Sequence, residues 1–391
     1  MKQSSILIVS TTFLMLASCS SSSTINTSNS NRPYDYNSTS LRSNITTYLH
    51  GDELSVYVRL DRSKLLYTRE NSTSEFVSEI IVTLDNQQFV WVDTLRSDSQ
   101  KSLEGRFDIP SLQDKERLNY SLVDNKRNSS MSGVVSINEY LIWNMTEDRA
   151  VSGNNVAIGS HLIILSNKNN GWKVSHVIPT KTLPSPPFTG YINPMKDVTA
   201  EHHSDIYEEW IMLDGCQKFS SINSSDEFIL YGRSVDFPNI KNVINMLETT
   251  RYIATRREYN INKDADHPKI ALDEFWLNCG GSYEDSKKLI EIYYDRVEEA
   301  NRAFSGIQEG WRTDRGMTYI VLGIPNKIKR DAWSELWLYG DEGSSNVIAL
   351  SFRKRHHDLD NNMYVLERDI IYRSTWDRVV TSWRNGRIHR D

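Results

Sequence analysis

One short stretch holds most of the residues that could do chemistry: Gly310-Trp311-Arg312-Thr313-Asp314-Arg315-Gly316, followed by Tyr319 and by Gly323-Ile324-Pro325. A carboxylate between two guanidiniums, with a hydroxyl beside it, can form a polar pocket for a ligand or a partner. The same residues can also build a turn. Gly310 and Gly316 permit backbone angles closed to other residues. Trp311 can bury a large ring with its N–H bonded. Thr313 and Asp314 accept hydrogen bonds from turn amides. Arg312 and Arg315 can clamp carboxylates, Asp295 and Glu298 being the expected partners. Gly323-Ile324-Pro325 makes a second tight turn. Every residue has a task in the structural reading, which is therefore preferred: the stretch joins a long helix to the next strand.

Other candidate sites are weaker. Asp358-Leu359-Asp360-Asn361-Asn362 begins like a calcium loop, but Met363 stands where that loop needs glycine and Asp369 rather than Glu takes the closing position. A solvated hairpin loop is expected there. The pairs His202-His203 and His356-His357 are adjacent, without the i, i+4 spacing that puts two imidazoles on one helix face. No metal and no cofactor are expected. Arg353-Lys354-Arg355 is a basic cluster, and from Trp311 onward 14 Lys and Arg face 11 Asp and Glu, a balance of +3. A solvated strand end accounts for that asymmetry, although anionic lipid or an acidic partner could use it. The chain has no Gly-x-Ser-x-Gly elbow, His-Glu-x-x-His, phosphate loop, dinucleotide fingerprint or Cys-x-x-Cys. Catalysis stays open, with the balance against it.

The elements that must position these residues fall into three parts. A chain of 391 residues, 38% hydrophobic and 10% aromatic, can bury the cores of two or three domains. From Thr47 to Asn138, short alternating segments (Ser55–Leu60, Glu79–Leu84, Gln88–Val92, Gly105–Ile109, Asn119–Val123, Val134–Ile137) separated by polar turns predict an antiparallel, immunoglobulin-like β-sandwich. Residues 139–236 form a second β-rich module, with strands at His161–Leu165, Trp172–Val177, Tyr207–Leu213 and Phe228–Tyr231, and with Pro184–Phe188 extended outside any central strand. From 237 to 391 the pattern is α+β. Ile240, Val243, Ile244 and Leu247 share a helix face, and helices are expected over Pro268–Leu277 and Glu284–Phe304. The second of these carries Leu289, Tyr293, Val297, Ala300 and Phe304 in one stripe. Strands follow at Met317–Leu322, Glu335–Tyr339 and Val347–Phe352, then a last helix from Ser374 to Gly386. The expected fold class is thus β plus α/β multidomain.

The stretch Gly310–Gly316, with Tyr319-Ile320-Val321-Leu322-Gly323-Ile324-Pro325, resembles the signature of the GWxTD domain, found in exported bacterial lipoproteins of the Bacteroidetes and related phyla. Leu272–Trp276, Tyr293–Val297, Ala300–Phe304, Arg251–Thr255 and Glu258-Tyr259 fit the same pattern. The likeness is specific from about Thr249 to Tyr339 and looser through Pro186-Pro187-Phe188. Asn278-Cys279-Gly280-Gly281 and Asn326 depart from it at two turns where the family has Asp-Pro and an acidic residue. The resemblance implies a domain without implying an activity. It makes Gly310, Trp311, Thr313, Asp314, Arg315, Gly316, Tyr319, Gly323 and Pro325 the candidate interface.

The N-terminus predicts a location. Lys2 precedes the apolar stretch Ile6–Leu16, too short to span a bilayer, and Leu16-Ala17-Ser18-Cys19 is similar to the lipobox of bacterial lipoproteins. Residues 1–18 read as a signal peptide, Cys19 as the lipidation site, and residues 19–46, rich in Ser, Asn and Thr, as a flexible tether. Ser20, where the inner-membrane retention signal would have Asp, points to the periplasmic face of the outer membrane. Cys216 and Cys279 are expected to be free, buried thiols. A net charge of −6 argues against nucleic-acid binding. The function expected is a non-enzymatic outer-membrane lipoprotein whose C-terminal domain binds an envelope protein. The alternatives are a periplasmic hydrolase near Asp314, and a glycan binder using Trp91 or Trp172 as stacking platforms.

Overall fold

A computed structural model describes residues 23–26, 41–97, 99–112, 115–166, 171–190, 199–206, 208–340 and 347–388. Cys19, the signal segment and most of the tether lie outside the described residues. Strand β1 (Ser23–Asn26) falls within the stretch read as tether. The first unit then holds β2 (Ser43–His50), β3 (Glu53–Asp61), β4 (Phe76–Leu84), β5 (Gln87–Leu95), β6 (Ser102–Pro110), β7 (Arg117–Asp124) and β8 (Ser129–Ser136). They form two antiparallel sheets, β2-β3-β6 and β5-β4-β7-β8. Alternate residues of β3 (Leu54, Val56, Val58, Leu60) and β4 (Ile80, Val82, Leu84) meet in one core, as a period of two requires. Leu41 is buried in that core, so the ordered chain starts ahead of Thr47. Composition missed this, because Ser43-Asn44 and Thr46-Thr47 make a polar strand.

The second unit comprises β9 (Tyr140–Asn144), β10 (Arg149–Ala150), β11 (Asn155–Ala157), β12 (His161–Ser166), β13 (Trp172–Ile178), β14 (Thr199–Ile206), β15 (Glu209–Ile211), β16 (Gly215–Ser221) and β17 (Glu227–Arg233). Its sheets are β10-β9-β12-β15 and β11-β17-β16-β13-β14, with only the β11–β17 pair parallel. Trp172, Phe219, Phe228, Tyr140 and Trp210 stack in its core. Trp172, one expected stacking platform, is fully buried there, and Trp91, the other, is half-buried against Phe107.

The third unit starts with α1 (Val243–Thr249), α2 (Arg256–Lys263), α3 (Pro268–Gly280), α4 (Tyr283–Phe304) and α5 (Asp314–Leu322). It continues through β18 (Lys327–Arg330), β19 (Ser334–Tyr339), β20 (Ile348–Lys354), β21 (Tyr364–Leu366) and α6 (Arg373–Arg384). The stripe Leu289, Tyr293, Val297, Ala300 and Phe304 on α4 is buried, against Trp276, Trp311, Trp337 and Trp383. The antiparallel sheet runs β1-β18-β19-β20-β21. One expectation fails: Met317–Leu322 is helix α5, not a strand. Thr313 caps it by accepting from the Gly316 amide at 3.0 Å. Every residue of α5 is buried, so its apolar run shows no helical period and cannot be told from a buried strand by pattern.

Arg233, at the end of β17, joins the second and third units. It is 6% exposed, donates from Nε to Asn155 Oδ1 at 2.9 Å, and donates through its Nη groups to the carbonyls of Gly306, Ile307 and Gln308. Tyr231 adds a 2.7 Å bond from its hydroxyl to the Leu359 carbonyl. Buried carbonyls left without donors each cost about 1–3 kcal/mol. Arg233→Met is therefore expected to lower the midpoint of urea unfolding measurably, and an unchanged midpoint would mean those carbonyls find other donors.

Cys216 and Cys279 are free and buried in different units. Burial pushes the Cys216 thiol up to about 12 and the Cys279 thiol up to about 11. A raised pKa leaves little thiolate at pH 8, and the thiolate is the nucleophile. Ellman's reagent is expected to label neither thiol in the native protein at pH 8 and both after unfolding. Rapid native labelling would contradict this placement.

Candidate functional site

The signature lies between α4 and α5. After α4 ends, Gly310–Arg312 forms a single tight turn and Thr313 starts α5. Gly316 packs on that turn: a Cβ there would run into the Gly310 carbonyl and stand 3.0 Å from Trp311 Cα, so no side chain fits. Trp311 is fully buried, donates from Nε1 to Glu309 Oε2 at 3.1 Å, and accepts the Tyr252 hydroxyl at its carbonyl at 2.6 Å. Its amide is held by Asn301 Oδ1. Tyr319 is buried facing Phe304. Gly323 ends α5 at φ 87°, a conformation that favours glycine, and its carbonyl takes the Tyr339 hydroxyl at 3.0 Å. Pro325 is buried in the turn that follows.

The charged members pair internally. Asp314 Oδ1 and Oδ2 accept from Arg368 Nη2 at 2.6 Å and Nη1 at 3.1 Å, and Oδ2 also accepts the Leu366 amide at 2.8 Å. Arg312 donates to Glu248 and Glu309 and lies 4.0 Å from the Trp311 ring centroid. Arg315, 1% exposed, donates to Glu335 at 3.3 Å and to the Asn362 carbonyl at 2.7 Å, and lies 4.0 Å over the Tyr364 ring. Glu335 in turn accepts from Arg330 and from Trp337 Nε1. The expected partners Asp295 and Glu298 are not used by either arginine. Asp295 lies near Glu298 and Glu291, and burial raises its pKa. Glu298 pairs with Arg302 along its own helix. Sequence spacing favoured the near carboxylates on α4, but the fold brings Glu248, Glu335 and Arg368 from other elements, which no local pattern marks, and Arg312 also takes Glu309, only three residues before it.

The remaining candidates separate in the same way. Asp360, expected in a solvated loop, is 6% exposed and accepts the amides of Ile307 at 3.0 Å and Asn362 at 2.7 Å. That stitches the loop to the segment after α4 and uses the carboxylate without a cation. His356 is exposed, and His357 Nδ1 accepts the Leu359 amide. His202 and His203 sit on β14. Among the described residues, no group of three or more His, Cys, Asp and Glu is placed to hold a metal. The family's two departures are turn chemistry: Asn326 Oδ1 accepts the Gly340 amide at 2.7 Å, and Gly281 ends α3 at φ 71°.

Two cavities border this region. Beneath the extended segment Thr182–Pro184, a cleft of about 40 Å³ touches Gln308, Thr313, Asp314 and Tyr364, which admits a few waters and not a substrate. That segment is fastened by Arg368 Nη2 to the Ser185 carbonyl at 3.0 Å and by the Asp369 amide to the Pro187 carbonyl at 3.0 Å. A larger groove of about 560 Å³ lies between the second unit and the loop after β20, with Asn155, Lys218, Glu227, Asn361 and Asp358 on its walls.

Residues 218–385 match the family model of the GWxTD domain, so the chain carries that domain. The match begins inside β16 and therefore takes in β17 and Arg233 together with the helices and the C-terminal sheet. No curated protein matches the chain.

Removing one partner of a buried ion pair costs about 3–5 kcal/mol. Asp314→Ala and Arg368→Ala are each expected to destabilise the protein by that order in urea unfolding, with a double-mutant cycle showing strong coupling. Additive losses would mean that the two side chains do not act on each other.

Proposed function

We propose that this chain is an outer-membrane lipoprotein, acylated at Cys19 and facing the periplasm, whose GWxTD domain docks a protein of the cell envelope. We read the first β unit as immunoglobulin-like. The observation that carries the reading is the internal pairing of Asp314, Arg312 and Arg315. With those charges bonded inside the fold, the signature serves as a brace, and what remains for recognition is the outer surface it supports. That surface includes Ile270 and Leu277, 54% and 45% exposed and seven residues apart on one face of α3. No described helix is long and apolar enough to cross a membrane, and a lipid anchor requires none.

A second reading rests on the groove between the units. Its side-chain amides and carboxylates suit a polyhydroxylated ligand such as a glycan. It does not use Trp91 or Trp172.

The test is affinity purification of the full lipoprotein from detergent-solubilised envelopes, with Ile270→Glu/Leu277→Glu as the comparison, folding confirmed by circular dichroism. The expected result is a defined envelope protein that co-purifies with the wild type and is lost from the variant. If no protein co-purifies with the wild type, the docking proposal fails. Calorimetric titration of a soluble glycan, abolished by Asn361→Ala, would then favour the groove.

A further inference from the structure

The register of the C-terminal sheet fixes where the chain's N-terminal side leaves it. β1 runs antiparallel to β18, with Ser23 opposite Arg330 and Asn26 opposite Lys327. The strand therefore begins at the Arg330 end of the sheet, beside the β18–β19 hairpin. Cys19 is four residues upstream of Ser23, and four residues span at most about 14 Å.

That same end carries an unusual surface. The hairpin tip presents Trp333, which is 78% exposed. Its amide is bonded to Asp331 Oδ1 at 2.7 Å, so the backbone is fixed while the ring faces solvent. The Lys354 amide bonds to the Trp333 carbonyl at 2.8 Å, which places the end of β20 next to the tip. Arg353, Lys354 and Arg355 are all exposed there. Arg353 pairs with Glu367, whereas Lys354 and Arg355 make no salt bridge among the described residues. Of the acidic groups nearby, Glu335 pairs with Arg315 and Arg330 and Asp331 accepts the turn amides and the Ser334 hydroxyl, while Asp358 is exposed. An exposed tryptophan beside unpaired basic side chains is the pairing that settles at a lipid headgroup layer.

We infer that this end of the sheet, Trp333 with Lys354 and Arg355, rests on the anionic phospholipid surface of the membrane that holds the anchor. The inference rests on the reading of Cys19 as the acylated residue. The anchor's short reach, the direction of β1 and the charge of the strand ends all lead to one face of the domain. Contact there orients the domain, with the β18–β19 hairpin against the bilayer.

The experiment uses the full acylated chain in vesicles of phosphatidylethanolamine and phosphatidylglycerol containing a nitroxide-headgroup lipid. A bimane fluorophore is placed on Trp333→Cys or, as the comparison, on Val90→Cys in the first β unit. The buried thiols of Cys216 and Cys279 stay unlabelled. Quenching at position 333 is expected to exceed that at position 90 about twofold or more, and to fall when Lys354→Glu/Arg355→Glu is added or salt screens the surface. Equal quenching at the two positions, or quenching at 333 that ignores charge reversal, would overturn the inference. Mass spectrometry of the N-terminal peptide separates the two readings. An acylated chain without preferential quenching at 333 sinks only this inference, whereas an unmodified Cys19 sinks both.

Discussion

The C-terminal domain depends on buried charge pairs that tie helix α5 to the sheet beside it. Asp314 at the first turn of α5 grips the Leu366 amide at the end of β21 and Arg368 two residues further on, and one position later Arg315 reaches Glu335 on β19. Consecutive residues of one helix thus bind two different strands. Each ion would be expensive to bury alone. Each is repaid by several bonds, Glu335 alone receiving Arg315, Arg330 and the Trp337 indole. Such pairs add less to stability than apolar packing of the same volume would, but they admit one register of helix on sheet. The apolar stripe of α4 supplies the burial, and the charges set the alignment.

This arrangement explains why the signature has its composition. Glycine at 310 and 316 lets the tight turn lie on the start of α5, and threonine at 313 caps the helix in the same step. Tryptophan at 311 fills the space beneath while bonding at its ring N–H, its amide and its carbonyl. The turn then delivers Asp314 and Arg315 into the interior with their partners already in place. A chemical site made from these residues would first have to break bonds that hold the domain together. This is why recognition is better sought on the outer faces of the domain.

Much of this was legible in the sequence. Strict alternation gave β3, β4 and β7 because each buries one face only, and the 3.6-residue stripe gave α4 down to its individual residues. Legibility failed where a segment is buried on all sides. Met317–Leu322 has no polar face, so its period is lost. It failed again at long range. Glu248 lies 64 residues from Arg312, and Arg368 lies 54 from Asp314, and no spacing rule connects them. The reading of Asp358–Asn362 as a solvated loop missed Asp360 for the same reason, since its partners include the Ile307 amide far upstream. The stacking role given to Trp172 failed because exposure of an aromatic cannot be read from its neighbours in a strand.

The central claim is that the signature is an internal clamp, and amide hydrogen exchange tests it most directly. The Leu366 amide bonds to Asp314, and the Gly316 amide bonds to Thr313. If the clamp holds the domain together, both amides open only when the whole domain unfolds, and they exchange among the slowest in the molecule. Exchange of either amide at rates typical of surface loops, in a protein whose α4 amides remain protected, would contradict the account.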